Sequence, residues 1–191
     1  MNKKAENKRD LVEYSFDKSG SLHVPGDWNT QRDELFFYEG TVWYKKDFDY
    51  DLEEGKRLFV YFGAANKEAT VWLNGEELGK HIGGFTPFSF EITEKVKKED
   101  NFIVVKVDNI RKRDAVPTIN SDWWNYGGIT RRVELIETPE TYIYDYTIQL
   151  DSNQDNRIEG SFRLAGSQLN SRNVLIQIPE LNIEKKISVN P

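Results

Sequence analysis

Between Arg57 and Phe62 the chain reads RLFVYF, a short apolar and aromatic run with flanking polar residues. Runs of this length predict a strand buried on both faces. TPFSFEIT alternates, with Phe88, Phe90 and Ile92 on one side and Ser89 and Glu91 on the other, the period of a half-buried strand. ATVWLNGEELGKH places Asn74-Gly75 between two strand-like flanks; Asn-Gly tolerates the positive φ of a type I′ turn, so a hairpin is predicted there. NFIVVKVDN (Asn101–Asn109) and RRVELIE (Arg131–Glu137) add two strands, and ITEKVKKED (Ile92–Asp100) a short helical turn. No long amphipathic helix is present. Many short strands separated by turn signals predict an all-β sandwich.

The pattern changes after ETPETY, where Pro139 interrupts strand pairing. YIYDYTIQL, NRIEGSFRL and NVLIQI read as strands, joined by the polar loops DSNQDN and GSQLNSRN. Ile158, Gly160, Phe162 and Leu164 share one face of their strand, and Val174, Ile176 and Ile178 share another. KKISV is a candidate fourth strand. An immunoglobulin-type sandwich takes about seven strands and about 100 residues, and this tail holds roughly half of both. Two domains are therefore expected, residues 1–140 and 141–191, the second a sandwich cut short or completed by another chain.

Composition narrows the functional classes. Aromatic residues make up 13% of the 191 positions, and the mean hydropathy is −0.69. No run of about eighteen apolar residues occurs, so no membrane-spanning helix is expected. The net charge of −6 argues against a nucleic-acid partner. The basic stretches NKKAENKR (Asn2–Arg9) and RKR (Arg111–Arg113) are short and read as solvated segments. With no cysteine and only His23 and His81, thiol chemistry and an ordinary zinc site are excluded. Met1 is followed by polar residues, so no signal peptide is expected. No Gly-x-Ser-x-Gly elbow and no phosphate-binding glycine loop occur. The Gly83-Gly84 and Gly127-Gly128 pairs read as tight turns, and His81 as a structural hydrogen-bonding residue.

The most chemically suggestive stretch is SDWWNYGGITRRVEL, Ser121–Leu135. Asp122, Trp123, Trp124, Asn125 and Tyr126 combine rings that stack on the C–H faces of sugars with a carboxylate and an amide that hydrogen-bond hydroxyls. The competing reading puts the tryptophans in the core and the Asp122 carboxylate on turn N–H groups. From composition alone the packing reading leads.

LHVPGDWNT, YEGTVWYKKDF, ATVWLNGEELGKHIGGFTPFSFEIT, VVKVDN and DWWNYGGITRRVELIETP occur in this order. Together they resemble the amino-terminal domain of glycoside hydrolase family 2, the β-galactosidase, β-glucuronidase and β-mannosidase group, over about Leu22 to Ile148. The resemblance implies a jelly-roll similar to galactose-binding modules, then an immunoglobulin-like domain, then a (β/α)8 catalytic barrel. Such a barrel takes about 250 residues, for which this chain has no room. The Asn-Glu dipeptide that carries the family's acid/base is absent, so no catalytic residue is carried over. The resemblance thus implies a non-catalytic amino-terminal fragment of a retaining β-glycosidase; no cofactor and no metal ligand is assigned from the sequence. It would help to wall a sugar pocket completed by the missing barrel, and such enzymes are commonly oligomeric. Asp122, which opens the motif, is implied to contact the sugar. Trp123, Trp124, Asn125 and Tyr126 are candidate substrate contacts beside it, with at least one of them expected in the core or against the barrel. An autonomous carbohydrate-binding module and a structural or oligomerisation module are the alternatives.

Overall fold

The structure, a computed structural model, describes residues 15–154, 156–166 and 172–189. The basic Asn2–Arg9 stretch, most of the GSQLNSRN loop and Asn190-Pro191 lie outside these residues. The chain divides into two compact units, Met1–Glu137 and Thr138–Pro191.

The first unit is a jelly-roll β-sandwich of two antiparallel sheets. One has the strand order β2 (Thr41–Phe48), β7 (Asn101–Asp108), β4 (Glu68–Leu73), β5 (Glu76–Ile82). The other has the order β6 (Phe88–Glu91), β3 (Lys56–Phe62), β9 (Val133–Pro139). A two-residue ladder, β1 (Gly26–Asp27) with β8 (Gly128–Ile129), lies outside these sheets. The core forms where the inner faces meet: Ala69, Val71 and Leu73 of β4 and Val105 and Val107 of β7, together with Leu58, Val60 and Phe62 of β3. Trp28 and Ile92 complete it and are fully buried.

RLFVYF does form β3, but it is not buried on both faces. Leu58, Val60 and Phe62 are buried while Phe59 and Tyr61 are only partly so, because just one face of this sheet meets the core. The apolar run in β7 has a different cause. Phe102 and Val104 turn outward from the four-stranded sheet and form a second small cluster with Trp43 and Trp72. The two indoles stack at 5.4 Å, with Lys106 over the Trp43 ring and Lys45 over Phe102 at 5.9 and 5.1 Å. The lysine stems cover rings that would otherwise be wet while their ammonium groups stay in water.

The Asn74-Gly75 hairpin is present. Asn74 and Gly75 have φ of 52° and 88°, and Leu73 pairs with Glu76 across them. Asn74 also donates to the Lys95 carbonyl and accepts from the Phe102 N–H, which ties the turn to the neighbouring strand. ITEKVKKED makes one helical turn, with Lys95 and Val96 both donating to the Ile92 carbonyl. His81 has a structural role: it stacks on Phe88 at 4.3 Å and its Nε2 lies 3.1 Å from the Thr86 hydroxyl.

The second unit consists of two antiparallel hairpins, β10 (Tyr142–Leu150) with β11 (Ile158–Ala165), and β12 (Arg172–Ile178) with β13 (Ile183–Val189). A bulge lies between Ile143 and Asp145. Beyond it Tyr146, Ile148 and Leu150 stand opposite Phe162, Gly160 and Ile158, and before it Ile143 stands opposite Leu164. The extra residue therefore returns Ile143 to the apolar face, where strict alternation would set it against Tyr146. Asp145, Thr147 and Gln149 share the other face with Arg163, Ser161 and Glu159. The second hairpin is also amphipathic, pairing Val174 with Ile187 and Ile178 with Ile183.

One charge cluster predicts the acid behaviour of the first unit. Glu68, with a side chain only 13% exposed, pairs with Lys112 and, at 2.9 Å, with Lys80. Hydrogen bonds from Lys112 and then Lys80 hold its carboxyl at about 2, below the ordinary 4.5. A carboxyl depressed on folding adds stability above its unfolded pKa and loses it as pH falls toward the folded value. Stability should therefore drop as pH falls from about 4.5 to about 2. Glu68→Gln should flatten that part of the curve in urea unfolding followed by tryptophan fluorescence.

Candidate functional site

The segment between β7 and β8, residues 109–127, has almost no regular structure, so its buried backbone groups need other partners. Asparagine side chains supply them. Asn109, fully buried, accepts from the Gly40 N–H at 2.9 Å and donates to the Asn125 carbonyl at 2.9 Å. Asn125 returns the bond, its Nδ2 donating to the Asn109 carbonyl. Asn29 donates to the carbonyls of Leu35, Phe36 and Tyr38 at 2.9 to 3.2 Å, and its Oδ1 accepts the Gly127 N–H at 2.9 Å. Asn66 donates to the Tyr126 carbonyl. Two segments far apart in sequence, 29–40 and 109–127, are thereby locked together.

Arg111 ties the near side of the segment. Its guanidinium pairs with Glu39 at 3.0 Å and donates to the Ser121 carbonyl at 3.3 Å, and it reaches the Trp123 carbonyl at 3.5 Å. Its side chain is only 23% exposed, so the RKR stretch is not simply a solvated run. Lys112 is bonded to Glu68, which leaves Arg113 as the residue of the three with no ion pair among the described residues.

The Gly127-Gly128 pair is not the turn that the sequence suggested. Gly128 opens β8, and Gly127 is where the chain passes beneath the buried Trp28 indole. A Cβ at Gly127 would lie 2.1 Å from Trp28 Cζ2 and 2.6 Å from Asn109 Nδ2. The backbone N–H of Trp28 also donates to the Gly127 carbonyl at 2.8 Å. Only a residue without a side chain fits there.

These anchors sort the residues of the motif. Asn125 and Gly127 point inward and are buried, Asn125 at 5% exposure. Trp123 and Trp124 are 58% and 39% exposed, and Tyr126 is exposed as well, so none of the three rings fills the core. Asp122 is exposed and has no hydrogen bond or ion pair among the described residues. Of the five sequence candidates, Asp122, Trp123, Trp124 and Tyr126 therefore lie on the surface while Asn125 lies beneath them.

Trp124 joins an aromatic group that the sequence reading did not assemble. Its ring lies 4.9 Å from Phe36, 5.4 Å from Phe37 and 6.3 Å from Tyr126. Beside it is a cavity of about 140 Å³, lined by Phe36, Phe37, Glu39, Arg111, Trp124 and Asn125 among others. DWNT, YEG and VVKVDN were visible as motifs, but nothing in their spacing assigned Asn29, Glu39 or Asn109 a role. Among the described residues no three His, Asp or Glu side chains gather in a way that could hold a metal ion.

The fold and this loop edge define a jelly-roll module that sets aromatic rings and a free carboxylate on a rigid rim. Residues 2–139 match the family described as glycosyl hydrolases family 2, sugar binding domain, and the chain belongs to that family. A putative β-glucuronidase of Formosa agariphila is 33% identical over 162 residues, covering 82% of this chain and 20% of that protein. A β-galactosidase of Thermoanaerobacter pseudethanolicus is 35% identical over 147 residues, covering 74% of this chain and 20% of that protein. Among solved structures, Bifidobacterium dentium β-glucuronidase complexed with coumarin-3-O-glucuronide superposes with a TM-score of 0.77 at 25% identity, covering 95% of this chain and 36% of that one. The chain spans about a fifth of the length of these curated relatives.

Gly127→Ala should destabilise the fold by about 1–3 kcal/mol, the usual cost of overpacking a tight site. Urea denaturation checks it. An unchanged midpoint would mean that the Trp28 contact is not tight.

Proposed function

We propose that this chain is the non-catalytic amino-terminal part of a family 2 β-glycosidase. Hydrolysis of a terminal β-linked sugar, of galactoside or glucuronide type, is carried out by a catalytic domain outside this sequence. The chain walls one side of the sugar pocket and supplies Asp122 as a hydrogen-bonding contact to the substrate. The observation that carries this reading is the free Asp122 carboxylate, exposed on a loop whose neighbours Ser121, Trp123 and Asn125 are each tethered. A carboxylate held in place but left without a partner suits an external hydroxyl, since little ordering remains to be done on binding. The relatives' names and their fivefold greater length support the same reading. Trp123 and Tyr126 would seat against the catalytic domain or the substrate. Residues 141–191 would contribute the first strands of an immunoglobulin-like sandwich; their two amphipathic hairpins support this.

The chain alone should not hydrolyse nitrophenyl β-galactoside or β-glucuronide. In the assembled enzyme, Asp122→Ala should lower kcat/KM on the order of 10- to 100-fold, as expected for a lost hydrogen bond to a charged group. Its melting temperature should not change. Unaltered kinetics in that variant would remove Asp122 from the site.

One observation favours a second role, in assembly. Ile143, Tyr146, Ile148 and Leu150 are all more than half exposed on one face of β10. A contiguous apolar face of this kind invites pairing with a second copy. Ile148→Lys should then shift the chain toward monomer in sedimentation velocity, while Thr147→Lys on the opposite face should not. A wild-type chain that sediments as a monomer at all concentrations would end this second reading.

A further inference from the structure

Asp122 is placed by a side chain from outside its own stretch of the loop. Asn109, just after β7, bonds Gly40 twice: its N–H donates to the Gly40 carbonyl at 3.1 Å, and its Oδ1 accepts the Gly40 N–H at 2.9 Å. That pairing brings nearby residues of the two segments together, and Arg111 meets Glu39 at 3.0 Å. From there the guanidinium reaches across to the far part of the loop. Its Nη1 donates to the Ser121 carbonyl at 3.3 Å and its Nη2 to the Trp123 carbonyl at 3.5 Å. Ser121 and Trp123 are the residues immediately before and after Asp122. Among the described residues no other side chain bonds the backbone of residues 121–124. The one further tie there is the Ser121 N–H, which donates to the Thr118 carbonyl at 3.2 Å.

Both carbonyl bonds are longer than the roughly 3.2 Å of a strong N–H···O bond, so neither does much alone. The guanidinium is a rigid plane, and with Glu39 it is fixed at three points. Carbonyls on either side of one residue, both bonded to that plane, restrict the backbone between them. Asp122 is that residue. A lysine at position 111 would keep a cation for Glu39 but has no planar fork to span two carbonyls. A carboxylate held this way does not have to find its position when a hydroxyl arrives. Displacement of a contacting group by about 1 Å is enough to cost much of a reaction rate. We propose that Arg111, braced by Glu39, is a positioning residue for the assembled enzyme. It touches no substrate and acts by setting the backbone on both sides of Asp122. The proposal rests on the reading of Asp122 as a substrate contact.

The test is a double-mutant cycle in the assembled enzyme, read as kcat/KM on nitrophenyl β-galactoside or β-glucuronide, whichever it hydrolyses. Arg111→Lys should lower kcat/KM about five- to ten-fold while Asp122 is present. On an Asp122→Ala background the same change should cost less than about two-fold, because the group being positioned is gone. Glu39→Ala, at an exposed acid, should act in the same direction by about two- to three-fold and should also lose its effect on that background. It carries the test if Arg111→Lys fails to fold. Arg113→Ala removes an exposed charge of the same stretch, one with no ion pair among the described residues, and should change nothing in either background. Equal losses from Arg111→Lys with and without Asp122 would overturn the proposal, since that is what general support of the fold produces. So would a matching loss in Arg113→Ala, which would assign the effect to net charge. A damaging Asp122→Ala beside a harmless Arg111→Lys would end the positioning role alone. Unaltered kinetics in Asp122→Ala would remove the substrate contact itself and the positioning role with it, so the two failures are told apart.

Discussion

The loop that carries the site depends on one constraint: buried backbone groups outside a sheet need hydrogen-bond partners. Residues 109–127 cross the end of the sandwich without forming a ladder of their own. Asn29, Asn109 and Asn125 answer the constraint with amide side chains, each of which offers a donor and an acceptor in a fixed plane. Asn109 and Asn125 bond each other's carbonyls, and Asn29 joins the Gly127 N–H to three carbonyls of the 35–38 segment. Because these bonds connect positions far apart in sequence, they fasten both ends of the loop to the rest of the unit. The exposed rings and the Asp122 carboxylate are therefore presented in one geometry.

The electrostatics reinforce that arrangement. Arg111 and Lys112 leave β7 side by side and diverge, Arg111 to Glu39 and Lys112 to Glu68. The depressed carboxyl of Glu68, about 2, follows from the two lysines that bond it. A segment that looked like a surplus of positive charge is thus a pair of tethers, each neutralised by an acid from another element.

The second unit follows a different rule. Its hairpins are amphipathic, and their apolar faces are made consistent by a local device, the bulge before Asp145. Without it Ile143 would lie on the face of Asp145, Thr147 and Gln149. The bulge keeps the stripe continuous from Ile143 to Leu150. On the opposite face the Tyr144 ring lies 4.6 Å from the Arg163 guanidinium.

The strands were legible in the sequence because their determinants are local. Alternation in FSFEI and the Asn-Gly turn depend on nearest neighbours and on the period of two. The class of fold and the motif containing Asp122 were legible for the same reason, since both are contiguous. The tertiary structure decided the rest, because it depends on which distant groups meet. It turned Phe102 and Val104 outward onto Trp43 and Trp72, exposed Phe59 and Tyr61 in part, and made Gly127 a contact beneath Trp28 where a turn was expected. It also separated the motif into surface residues and one buried asparagine, and it brought Phe36, Phe37, Glu39 and Arg111 beside Trp124. Side-chain type names what a residue can bond to; only the folded chain determines what lies within reach.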